Sequence, residues 1–285
     1  MIIKKYIVNK ASVLVMCFIL ICLFCFIPVS DDKYIISDTN KIKSNIYLLD
    51  KDDYVSMISY FFDKSSVEKL IIDKINLLIN GFDDNFISLI PKNTKINKLN
   101  VDRDKVYIDF SKELYNVSEF YEDEMIESIV FSLCDIEGIN YIYLSVDGVA
   151  LTELFNSKKK IDYPLSKDFG INKEYNISDF KNIDKTVVVF GKSVDDFNYY
   201  VPITKVYNSN DDKIEVIISE LKSSVNSQVG LVGFLDDSIN LVDSIINNDS
   251  ITLILNGVKS SEYEEFINLS IRENYEIEHI IYKYE

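Results

Sequence analysis

The single histidine of this 285-residue chain, His279, limits the nucleophilic chemistry open to it. A serine or cysteine nucleophile needs a neighbouring base, most often imidazole. His279 stands in the alternating stretch IEHIIYKYE at 277–285. Cys134, the one cysteine outside the N-terminal apolar run, falls in a helical pattern where a buried, inert thiol is expected. The other candidate chemistry is acidic, since two carboxylates across a cleft can cleave a glycosidic bond. Asp52-Asp53, Asp83-Asp84, Asp102 with Asp104, Asp195-Asp196, Asp211-Asp212 and Asp236-Asp237 supply the pairs. With 46 acidic residues in the chain, such pairs arise by chance, and solvated turns explain them. Gly191-Lys192-Ser193 lacks the upstream glycine of a phosphate-binding loop. Neither zinc-type cysteine spacing nor a calcium-loop pattern occurs. The expectation is a protein that is not an enzyme, with no catalytic residue, cofactor or metal.

The rest of the chain must then be read for architecture. A hydrophobic fraction of 47% excludes global disorder, and the length allows two domains of ordinary size. A net charge of −16 would repel a phosphate backbone, so nucleic acid is excluded as a partner. Residues 11–29, ASVLVMCFILICLFCFIPV, form an uncharged run long enough to cross a bilayer as a helix. Lys4, Lys5 and Lys10 precede it and Asp31-Asp32 follow it, which places the N-terminus in the cytoplasm and the remainder outside. No clean small-x-small cleavage site follows. Met16, Ile21 and Phe24 precede the three cysteines, where a lipid-attachment site needs a small residue. An uncleaved single-pass anchor in the cell membrane is therefore expected.

A degenerate repeat follows. IYLLD at 46–50 matches TVVVF at 186–190, and YVSMISYFF at 54–62 matches YYVPITKVY at 199–207, all with strand-like alternation. Val67, Leu70, Ile71, Ile75 and Leu78 make a helical stripe interrupted by Lys74, with Ser65 or Ser66 placed to cap it. Ile214, Ile217, Ile218, Leu221 and Val225 form its counterpart. Hairpins are predicted around Asp102-Arg103-Asp104 and Asn247-Asn248-Asp249, which align Asp104 with Asp249 and Phe110 with Leu255. A second helix and a closing strand complete each copy. The predicted fold is α+β: a transmembrane helix, then two similar small domains, each a mixed or antiparallel sheet against two helices. The expected segments are a tail at 1–10, the anchor at 11–29, a stalk at 30–45, a first domain at 46–150, a linker at 151–182 and a second domain at 183–285.

The first copy resembles a GerMN domain, the repeat unit of the GerM family of sporulation and germination proteins. The residues that carry the resemblance are Leu89-Ile90-Pro91-Lys92-Asn93-Thr94-Lys95-Ile96, Val106-Tyr107-Ile108-Asp109-Phe110-Ser111, Gly138-Ile139-Asn140-Tyr141-Ile142 and the closing Val146-Asp147-Gly148. Tyr200-Val201-Pro202-Ile203-Thr204 is similar to the family's second strand. The second copy departs elsewhere: Ile254-Leu255-Asn256 replaces the Asp-Phe-Ser signature, and the closing Asp-Gly is missing. The resemblance implies an assembly or interaction module at the cell envelope, with Pro91, Asp109, Phe110, Ser111, Gly138, Asp147 and Gly148 as structural or interaction residues. It implies self-association or other envelope and sporulation proteins as partners, with peptidoglycan as a further candidate. A carboxylate-dependent enzyme acting on peptidoglycan and a ligand-binding sensor ectodomain are the alternatives.

Overall fold

The structure is a computed structural model that describes residues 40–81, 83–194, 197–208, 212–222 and 230–285. The expected membrane anchor at 11–29, the tail and most of the stalk lie outside the described residues. Among the described residues no helix is long and apolar enough to cross a membrane.

The first copy runs β1 (Lys41–Asp50), β2 (Val55–Asp63), α1 (Val67–Asn80), β3 (Phe86–Ile87), β4 (Ile96–Asp102), β5 (Lys105–Phe110), α2 (Glu122–Cys134), β6 (Tyr141–Val146) and β7 (Val149–Ala150). After β8 (Glu174–Asn176), the second copy repeats that order up to its last strand: β9 (Ile183–Val194), β10 (Phe197–Asn208), α3 (Lys213–Lys222), β11 (Leu231–Val232), β12 (Asn240–Ile246), β13 (Ser250–Asn256), α4 (Ser261–Asn274) and β14 (His279–Tyr284). The α+β class follows from the two periodicities in the sequence. Helix α1 buries Leu70, Ile71, Ile75 and Leu78, and Ser66 accepts the Lys69 N–H at 3.3 Å as its cap. The predicted hairpin turn between β4 and β5 places Arg103 at φ 57°.

Main-chain bonds show how closely the copies correspond. The Asp104 carbonyl accepts the N–H groups of Asn140 and Tyr141 at 2.9 and 3.0 Å, and the Asp249 carbonyl accepts those of Glu278 and His279 at 3.0 and 3.1 Å. Phe110 accepts the Asp147 N–H at 2.9 Å, as Leu255 accepts that of Glu285 at 3.0 Å.

The sheets differ from the expectation of one per copy. Strands β4-β5-β6-β7 and β12-β13-β14 form two separate mixed sheets, but the two opening hairpins join in a single sheet of order β11-β9-β10-β2-β1-β3, with β8 also on β10. The apolar hairpins pair edge to edge, so their cores merge. Strand β1 also starts at Lys41, inside the segment expected as a stalk. Residues 151–182 do more than connect the copies: Leu151, Leu154, Ile161, Leu165 and Ile171 are buried.

In both copies the second helix covers the outer edge of the first strand, and its side chains bond the main chain there. Ser132 Oγ accepts the Tyr47 N–H at 2.9 Å, and Ser270 Oγ accepts the Val189 N–H at 2.9 Å. Two residues along each strand the solutions diverge. Asp135 accepts the Asn45 N–H at 2.6 Å, while Lys74 Nζ donates to the carbonyls of Asn45 and Ser132, both at 2.7 Å, and contacts Asp135 at 3.3 Å. In the second copy one amide does the work of both: Asn274 accepts the Val187 N–H at 2.9 Å and donates to the carbonyls of Val187 and Ser270, each at 2.7 Å. The lysine that interrupts the apolar stripe of α1 is thus the donor for a buried strand edge.

Burial pushes the Lys74 ammonium down to about 8, against the opposing pull of Asp135. Replacing Lys74 by Met leaves two carbonyls without a donor and Asp135 without its cation, at an expected cost of about 3 kcal/mol at neutral pH. The pH dependence has a definite sign. Between pH 8 and 10 the unfolded chain holds the Lys74 proton more tightly than the folded chain, so the native protein gains stability as pH rises. Denaturant titrations of wild type and Lys74→Met across that window should show the stability difference widening in favour of wild type, by up to about 3 kcal/mol.

Candidate functional site

The family-motif residues gather mainly at one end of the β4-β5-β6-β7 sheet. Asp109, in β5, accepts the Ser145 hydroxyl at 2.7 Å and the Gly148 N–H at 2.8 Å. The Asn97 amide donates to Asp109 at 3.2 Å, to the Phe110 carbonyl at 3.1 Å and to Asp147 at 3.2 Å. The Ser145 hydroxyl, with the Gly148 amide and Asn97 in support, holds the Asp109 carboxyl below the usual range. Asp147 and Gly148 take φ of 46° and 78° in the tight turn between β6 and β7, which suits Asp and Gly. Phe110 is fully buried. Ser111 exchanges two bonds with Lys95: its hydroxyl accepts the Lys95 N–H and its own N–H reaches the Lys95 carbonyl, both at 2.9 Å. It precedes a 3-10 turn, Lys112–Asn116, without capping it by its side chain. Pro91 opens the turn closed by the Thr94 N–H at 2.9 Å. Gly138 stands apart, in the turn between α2 and β6, with φ 81°. These residues fix strand ends and turns.

The residues with chemical potential are dispersed. His279 is exposed in β14 with Glu278 3.9 Å away. Burial pushes the Cys134 thiol up to about 12, and Sγ rests 3.5 Å from the Asn140 carbonyl. Among the described residues no hydrogen bond or ion pair joins the two, and no group of three acidic, histidine or cysteine side chains could hold a metal. The paired acids serve turns and ion pairs. Asp83 and Asp236 accept main-chain N–H groups two residues on, at 2.7 and 2.8 Å, and Asp212 accepts the Ile214 N–H at 2.8 Å. Asp195, Asp196 and Asp211 lie outside the described residues.

The densest polar constellation was not singled out from the sequence. It joins the two copies. Asp50, at the end of β1, receives Lys192 Nζ at 2.9 Å, the Ser56 hydroxyl at 2.9 Å and the Tyr199 hydroxyl at 3.2 Å. Its other oxygen accepts the N–H groups of Asp52 and Tyr54 at 2.9 and 3.0 Å. Lys192 also pairs with Asp52 at 2.6 Å. Burial, followed by the Asp50 charge, drives the Tyr199 hydroxyl well above its usual value. On the far side of the joint, Glu273 of α4 receives Lys167 at 2.7 Å and the Tyr47 hydroxyl at 3.0 Å.

The shared sheet has its own splice. Pro202 of β10 has no N–H, and its carbonyl faces the side where β2 pairs only at Tyr200 opposite Met57. Asn172, held at φ 46°, fills the gap. Its amide donates to the carbonyls of Val55 at 2.9 Å and Pro202 at 2.8 Å, and its oxygen accepts the Val55 N–H at 2.8 Å. Glu127 of α2, whose carboxyl burial raises against the pull of Lys173, holds the Asn172 N–H at 2.9 Å. A lysine within an apolar strand (Lys192) and a lone Asn after a Gly-Ile pair were the only traces in the sequence.

Two fused α+β repeats, with motif residues spent on strand ends and a polar joint between the copies, define a tandem structural module. The chain is similar to proteins of the GerM type: residues 45–152 match the family "Germane: Sporulation and spore germination". The spore germination protein GerM of Bacillus subtilis (strain 168) is 27% identical over 228 residues, which are 76% of this chain. The chain spans 62% of that relative's length. The tandem GerMN domains of the sporulation protein GerM from Bacillus subtilis superpose with a TM-score of 0.78 over 86% of this chain and 91% of that one, at 24% identity. The fold is therefore that of tandem GerMN domains.

Removing the splice tests the rigidity of the joint. Asn172→Ala loses three hydrogen bonds and puts alanine at a left-handed position, with an expected cost of about 3 kcal/mol. Differential scanning calorimetry should show one transition in wild type and a lowered transition in the variant.

Proposed function

We propose that this chain is a non-catalytic, extracytoplasmic assembly protein of the GerM type. Residues 11–29 anchor it in the cell membrane with the N-terminus inside, and the tandem repeats bind other envelope or sporulation proteins, or peptidoglycan. One observation carries this reading: the carboxylates of Asp50, Asp109 and Asp147 and the hydroxyl of Ser111 are each held by hydrogen bonds from neighbouring main-chain or side-chain groups, so the joint and motif act as framework. What the repeats offer a partner is surface. On the outer face of the β4-β5-β6-β7 sheet, Tyr143 stacks between Tyr107 and Tyr163, with centroids 4.7 and 5.7 Å away. The row lines a concavity of about 800 Å³ rimmed by Lys98, Asn100 and Ser145. Tyrosine rows with polar rims are typical of binding surfaces.

The test is location. A fluorescent fusion followed through sporulation should gather at the septum and then at the engulfing membrane. Deleting 11–29 should disperse it. An even distribution of the intact fusion around sporulating cells rejects the reading.

A further inference from the structure

The outer face of the β4-β5-β6-β7 sheet is built in rows that cross the strands. Val106, Ile108, Phe110, Ile142, Leu144 and Val146 turn into the core, so the residues between them turn outward. Pairing sets Asn100 opposite Tyr107 and Tyr107 opposite Tyr143, and Tyr163 of the following segment extends that row. The row beside it is short: Lys98 lies opposite Asp109, and Asp109 opposite Ser145. The step from the tall row to the short one forms the concavity of about 800 Å³.

The fold does not demand these tyrosines. The second copy builds the corresponding rows from Ile245, Thr252 and Ile281, and from Asp243, Ile254 and Lys283. Nor does the core consume them, since Tyr107 is 39% exposed and Tyr143 and Tyr163 are half-buried. Tyr107 and Tyr143 are within 11° of parallel with centroids 4.7 Å apart, and Tyr143 and Tyr163 within 8° at 5.7 Å. Parallel rings touch at a spacing of about 3.5 Å, so each must be displaced sideways from the next. The three overlap like roof tiles, and each leaves part of a face open.

The spacing selects the occupant. An extended peptide repeats on one face every 6.6 Å or so (about two residues of strand), and a polyproline helix every turn of about 9 Å; neither keeps step with the rings. One sugar unit of an extended β-1,4-linked glycan does, and its axial C–H groups suit the negative face of a phenol ring. The Lys98 ammonium and the Asn100 amide make no hydrogen bond or ion pair among the described residues, and are donors for sugar oxygens. With one lysine against Asp102 and Asp109, the groove has no positive excess to hold a phosphate polymer.

We propose that the first repeat binds the glycan strand of the cell wall, a β-1,4-linked chain of N-acetylated hexosamines, along Asn100, Tyr107, Tyr143 and Tyr163. The second repeat, which lacks the row, does not. This names the ligand of the surface described above and rests on the assembly reading.

Isothermal titration of the full chain, in a detergent without a sugar headgroup, tests the site. The tetramer of N-acetylglucosamine should bind once per chain and at least about tenfold more tightly than the single sugar, because the row takes more than one unit. Raising the salt should leave that affinity unchanged. Tyr107→Thr with Tyr143→Ile puts the second copy's residues into the row, and should weaken binding at least about tenfold with unchanged circular dichroism. Tyr143→Ile alone serves if the double variant misfolds. Peptidoglycan stripped of its stem peptides should retain the wild type and release the variant. No heat with the tetramer, equal affinity for tetramer and single sugar, binding that survives the replaced tyrosines, or retention only by peptidoglycan with intact stems overturns the glycan site. A fusion that gathers at the septum while the tetramer fails to bind removes this site alone. Tetramer binding by a protein that spreads evenly in sporulating cells removes the assembly role alone.

Discussion

A strand edge buried beneath a helix must find partners for its main-chain groups, because each orphan would cost as much as a lost hydrogen bond. Strands β1 and β9 both meet this constraint. Their outer N–H groups at Tyr47 and Val189 end on serines of the covering helices. The remaining groups at Asn45 and Val187 are met by an Asp–Lys pair in one copy and by a single Asn in the other. Where α2 and α4 sit on their sheets follows from these bonds as much as from apolar contact. Polar residues at Ser132, Ser270 and Lys74 are thus as much part of the core as its isoleucines.

The same accounting explains why the copies behave as one body. Pro202 deprives β10 of a donor where β2 should join it, and a side chain from the connecting segment supplies what the ladder lacks. Asp50 and Lys192 are each about 1% exposed, and their ion pair spans the two hairpins. Buried pairs of this kind add little net stability but are costly to break. They therefore specify one relative placement of the repeats.

Divergence between the copies is concentrated at one end of the smaller sheets. The first has Asp109, Ser145, Asp147 and Gly148 knitting strand ends to a tight turn, and the chain then folds back to cover β6. In the second, Ile254, Lys283 and Glu285 stand at the positions of Asp109, Ser145 and Asp147, so the hydrogen bonds centred on Asp109 have no counterpart there.

By itself the sequence determined the order of elements, the two hairpin turns, a helix cap at Ser65 or Ser66 and the buried place of Phe110. These depend on local periodicity and turn chemistry, which neighbouring residues decide. It also carried the motif at Pro91, Asp109, Ser111, Gly138, Asp147 and Gly148, though not the bonds those residues make. Tertiary structure alone decided that the hairpins share a sheet, that residues 151–182 are built into the core, and that Asp50, Lys192, Asn172 and Lys74 are structural. Each of those residues satisfies a group between 29 and 142 positions away in the chain. No local pattern records such a distance; a lysine in an apolar stripe looks like a flaw until the carbonyl it serves has been brought beside it.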